Sequence, residues 1–138
     1  MKKIIVLLIC LCMVLVGSFI TVSGAVEGVN NISPMAENYI NASASISRTG
    51  NNVRATGTIN GKIGKTTKTE INLYLQKYLR GKWLNVGEWS SSGSTENRTL
   101  SKTVSVKKGY KYRSMAVCSA YAGSNKETIN KYSQTINY

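Results

Sequence analysis

The sequence predicts an all-β fold, an antiparallel two-sheet sandwich, and three observations predict it. Short runs alternate apolar and polar residues with a period of two. Clusters of Gly, Asn and Ser interrupt these runs every 8 to 14 residues or so, as roughly expected of turns in such folds. No stretch beyond the N-terminus sustains a helical period, and the single proline, Pro34, precedes the alternating region.

The elements follow in order. "YINASASIS" places Ile40, Ala42, Ala44 and Ile46 on one face, and "RTGNN" turns the chain. "VRATGTI" sets Val53, Ala55, Gly57 and Ile59 against Arg54, Thr56 and Thr58. Asn60-Gly61 signals a turn, and the polar "GKIGKTTKT" extends it into a loop. "EINLYLQKY" is the clearest strand, with Ile71, Leu73 and Leu75 opposed to Glu70, Asn72, Tyr74 and Gln76. "LRGK" turns into "WLNVGEW", where Trp83, Val86 and Trp89 recur every third residue. A flat strand does not give that spacing, and it predicts a bulge at Gly87. "SSSGSTENR" reads as a polar loop, and "TLSKTVSV" as a strand ending in a Lys107-Lys108-Gly109 turn. "KYRSMAVCSAYAG" is the sixth strand and "ETINKYSQTINY" the seventh. About seven strands in roughly 100 residues fit an immunoglobulin- or fibronectin-like sandwich, with a small barrel as the alternative.

Ahead of this domain, Lys2 and Lys3 precede an uncharged, mostly apolar run from Ile4 to Val22, then Ser23, Gly24 and Ala25. A basic start, an apolar middle and small residues at the end read as a secretory signal peptide; an uncleaved anchor is the competing reading. The expected organisation is a signal peptide over 1–24, a spacer over 25–37 and the sandwich over 38–138. The expected location is extracellular, with cell-surface association allowed. Cleavage removes Cys10 and Cys12, so Cys118 alone remains and no intramolecular disulfide is expected. Net charge would fall from +12 to +10 with the loss of Lys2 and Lys3. Such a surface attracts polyanions. Outside a cell these are wall polymers, phospholipid headgroups or acidic glycans rather than nucleic acid.

Absences narrow the chemistry. All six acids are Glu, and the chain has no His. A Ser-His-Asp triad, a Cys-His pair, an aspartic dyad and the usual zinc and EF-hand ligand sets are therefore excluded. No cofactor is expected. The reading is non-enzymatic, with wall hydrolysis by Glu70 and Glu88 as the alternative to test. Cys118 lacks an activating base and shares a period-two face with Ser114, Ala116 and Ala120, so it reads as a small buried filler. Tyr112, or its rival Tyr110, is placed to bond its hydroxyl to nearby backbone as a tyrosine corner does.

Candidate contact residues are Tyr78, Trp83 and Trp89, which offer a platform for sugar rings or a lipid interface. Arg80, Lys82, Lys107 and Lys108 lie at turns that a sandwich brings to one end. Basic residues gather in three groups, at Lys62, Lys65 and Lys68, at Lys77, Arg80 and Lys82, and at Lys107, Lys108, Lys111 and Arg113.

With "ISPMAENYINASASIS", "INLYLQKYLRGKWLNVGEW", "GYKYRSMAVCSAYAG" and "YSQTINY" in place, the chain resembles an uncharacterised family of small secreted proteins from Gram-positive, mostly clostridial, bacteria. The resemblance implies export and a β-sandwich; it carries no activity and no site residues. The expected function is a secreted, monomeric, non-catalytic binding protein for anionic envelope polymers or glycans. The alternative is a secreted cationic bacteriocin-like toxin acting on membranes.

Overall fold

Period-two alternation is realised as eight strands: β1 Tyr39–Thr49, β2 Asn52–Gly61, β3 Lys68–Leu79, β4 Lys82–Gly93, β5 Asn97–Val104, β6 Lys111–Ala122, β7 Asn125–Tyr132 and β8 Ile136–Asn137. The computed structural model describes residues 37–138. The expected signal peptide, the expected spacer up to residue 36 and the Ile40 side chain lie outside the described residues. Two antiparallel sheets result. One has the order β1-β2-β5; the other runs β4-β3-β6-β7, with β8 also paired to β6.

The core is the set of inward rows that the alternation dictates. Val53, Ala55 and Ile59 from β2 meet Ile71, Leu73 and Leu75 from β3 and Ala116, Cys118 and Ala120 from β6, all essentially inaccessible to solvent. Small residues let the sheets approach closely. A Cβ added at Gly57 would lie 2.9 Å from the Ala116 Cβ and 3.1 Å from Ile71. Cys118 is buried and free among the described residues, and burial pushes its thiol up to about 11, partly offset by Lys131. It is a filler, as its neighbours on the strand imply.

Tyr112 is buried at the start of β6, and its hydroxyl donates to the Lys107 carbonyl at 2.8 Å. This bond ties the β5–β6 connection to the core. The Arg80-Gly81 turn has φ of 49° and 81°, the double positive that a two-residue hairpin turn demands. Gly81 takes that conformation without steric cost, while Arg80 is a non-glycine residue held in it.

Two local expectations are corrected. Residues 90–98 are not one long loop, because β4 continues to Gly93 and β5 starts at Asn97. The twelve residues of β3 pair along their length, matching Thr69 to Gly93 and Ile71 to Ser91. Arg98 then satisfies the polar inner end, donating to the Thr69 carbonyl at 3.2 Å and to Ser91 Oγ at 2.9 Å. The last expected strand divides into β7 and β8. Between them Ser133 substitutes for ladder pairing, accepting the Ser114 amide at 2.8 Å and donating its own to the Ser114 carbonyl at 2.9 Å.

Candidate functional site

The register of β4 decides where its tryptophans go. Leu75 pairs with Gly87 but Gln76 pairs with Asn85, which leaves Val86 as an extra residue on β4. The predicted bulge is therefore present, one residue from its expected centre. Trp83 shares the outer row with Tyr78, whereas Trp89 pairs with buried Leu73 and packs against the core. Its indole lies over Gly87, where a Cβ would collide with it. Trp89 is thus separated from the surface platform expected of it, and Tyr78 and Trp83 remain.

Around Trp83 the outer face of β4-β3-β6-β7 builds a stack that spans all four strands. Tyr78 lies 5.2 Å from the Trp83 ring, tilted by 56°. The Arg113 guanidinium sits between two rings, 4.2 Å from the centroid of Trp83 and 4.5 Å from that of Tyr132. Its orientation is fixed from below, because Nε donates to Gln76 Oε1 at 2.8 Å. Gln76 is itself 7% exposed, and its amide donates to Asn85 Oδ1 at 2.9 Å. Among the described residues no protein acceptor meets the terminal Nη groups of Arg113. A planar fork clamped between aromatic faces, with its outer N–H groups unpaired, suits carboxylate or sulfate oxygens. Tyr78 and Tyr132 flank it, 39% and 51% exposed.

The turns meet at one end. Lys77 lies over the Tyr110 ring at 4.6 Å, and Arg48 donates to the Asn137 carbonyl beside Lys108 and Tyr138. That end collects Arg48, Arg80, Lys82, Lys107, Lys108 and Lys111. None of the described glutamates is there. Glu37 and Glu127 meet at the start of β1, where Glu127 accepts the backbone amides of Glu37 and Asn38. Glu96 accepts the Gly64 amide at the same end, and Glu70 accepts the Tyr121 hydroxyl. The Lys65–Glu37 ion pair, at 4.0 Å, is there too. Lys62, Lys65 and Lys68 consequently belong to the mixed-charge end.

The tested carboxylate pair is held apart. Glu70 faces Ser92 and Glu88 faces Tyr74, four residues on along β3, about 13 Å of strand. Glycosidase carboxylates stand about 5–9.5 Å apart. Among the described residues no cluster of three or more His, Cys, Asp or Glu forms a metal site, and no helix is long and apolar enough to cross a membrane.

Sequence reasoning named Tyr78, Trp83 and the basic turns but missed Tyr132, Gln76 and Asn85. Their meeting depends on register across four strands, which alternation alone does not fix.

No family model matches the chain, and no curated protein matches it. Among solved structures it is similar to the solution structure of R. palustris CsgH, at 13% identity and a TM-score of 0.43, over 66% of this chain and 87% of that one.

Proposed function

We propose that the chain is an exported, non-catalytic binding protein for acidic glycans of the cell envelope, built on a fibronectin-like sandwich. The strand order, with β1-β2-β5 facing a five-stranded sheet whose main path is β4-β3-β6-β7, and a tyrosine tie at the start of β6 support that architecture. The basic start and apolar run of residues 2–22 support export. The resemblance of "INLYLQKYLRGKWLNVGEW" and "GYKYRSMAVCSAYAG" to small clostridial secreted proteins accords with that reading.

One observation carries the ligand reading: the guanidinium of Arg113 is clamped between Trp83 and Tyr132, and among the described residues its terminal N–H groups meet no protein acceptor. A uronate or sulfated sugar offers both complements. Its anion pairs with the fork, and its ring stacks on Tyr78 or Tyr132. Arg80, Lys82 and Lys111 add attraction along a repeating polyanion.

Titration with polygalacturonate, with neutral dextran as control, tests this across a salt series. Polygalacturonate should bind and weaken as salt rises, while dextran does not bind. Arg113→Lys keeps the charge and removes the fork, and should weaken binding about tenfold. Equal binding of dextran, or an unchanged affinity in Arg113→Lys, would refute the reading. Dye release from anionic vesicles would favour the toxin instead.

A further inference from the structure

Beyond the glycan face, a second site opens between the sheets at the basic end. The extra residue Val86 breaks the regular edge of β4 there. Leu75 and Val86 form one wall of a cleft of about 220 Å³, Val104 and Val106 the other, and Lys77, Ser105, Lys107 and Tyr112 complete the lining. Leu84, the register partner of Lys77, adds apolar surface nearby and is 43% exposed, as Val86 is 48% exposed.

Two features select an occupant. An apolar cavity of about 150 Å³ accepts a benzene ring, so this cleft accommodates a slightly larger hydrocarbon body. Lys77 and Lys107 are the charged residues of the lining, the Tyr112 hydroxyl being engaged with the Lys107 carbonyl, and among the described residues neither lysine has a carboxylate partner. Lys77 instead rests on the face of Tyr110. Apolar walls with two uncompensated ammonium groups complement an amphiphilic anion. The loop carrying Lys107 is held in place by the Tyr112 hydroxyl, so the cleft does not need to form on binding.

We propose that this cleft binds a medium-chain aliphatic carboxylate. The hydrocarbon lies on Leu75, Val86, Val104 and Val106, and the carboxylate meets Lys77 and Lys107. The site is independent of the Arg113 stack, which lies on the outer face of the sheet.

Isothermal titration of the protein with octanoate, 1-octanol and acetate tests it. Octanoate should bind, 1-octanol at least tenfold more weakly, and acetate not measurably. Lys107→Gln, an exposed change that leaves the core intact, should weaken octanoate about tenfold and leave 1-octanol unchanged. Val104→Trp should fill the cleft and abolish octanoate binding, and Arg113→Lys should leave it intact. Absence of octanoate binding would overturn the proposal. So would equal affinity for octanoate and 1-octanol, or an unchanged octanoate affinity in Lys107→Gln.

Discussion

The two halves of β4 present the same residue type to opposite surroundings. Trp83 stands on the outer face with Tyr78 and Arg113, while Trp89 packs against the core over Gly87. They are six positions apart, an even spacing that would put both on one face of a regular strand. The extra residue at Val86 reverses the parity. One inserted residue thus separates an outward-facing tryptophan from one committed to packing, and the same residue, Val86, lines the cleft between the sheets.

Deleting Val86 should break this arrangement most severely. Without it, pairing β4 regularly with β3 forces either Trp83 inward or Trp89 outward. We expect destabilisation of about 4 kcal/mol or more in urea unfolding, since a one-residue slip inverts every side chain on one half of the strand. A deletion variant as stable as the parent would mean that the bulge does not set the faces.

Substituting each tryptophan sharpens the contrast. Trp89→Ala should cost about 3 kcal/mol of stability, because the partly buried indole leaves a gap against Leu73. Trp83→Ala should cost only about 1 kcal/mol, the scale of an exposed cation–aromatic contact, while weakening polygalacturonate binding more than Trp89→Ala does. The two urea midpoints, read beside the two affinities, check both statements. Equal stability losses would erase the distinction between the halves.

The smallest effect concerns the thiol on the inner side. Cys118→Ala should cost about 1 kcal/mol at neutral pH. Burial raises the Cys118 pKa from 9.0 to about 11. The unfolded thiol therefore ionises first, and its contribution to stability is complete below about pH 9 and lost as pH rises through 11. Thermal midpoints should fall over that interval, and fall less in Cys118→Ala. An identical alkaline decline in both proteins would show that the thiol does not contribute.

What alternation can encode was legible. It placed Ile71, Leu73 and Leu75 inward, made Cys118 a filler between Ala116 and Ala120, and anticipated the bulge near Gly87; the tyrosine tie was expected of Tyr112 or Tyr110, and Tyr112 makes it. It could not separate Trp83 from Trp89, because the face of each depends on which residue is the extra one. Serine-rich composition hid the end of β4: outward-facing residues of an edge strand need not be apolar, and Arg98 covers the inner ones. Arg113 was visible only as one more basic residue. Its clamp needs Trp83 from β4 and Tyr132 from β7, joined through a register that no local pattern records.

The end that holds none of the described glutamates has a consequence for how the molecule meets a charged surface. Strands of twelve residues hold the two ends about 40 Å apart, several times the ~8 Å screening length at physiological salt. An anionic surface therefore responds to the nearer end rather than to the net charge. A molecule approaching with its glutamates forward gains little attraction, and one approaching with Arg80, Lys82, Lys107 and Lys108 forward gains the most. The difference is a torque that acts before contact and turns the long axis toward the surface. At any anionic surface, net charge would set the strength of attraction, and the placement of a few glutamates would set which end lands first.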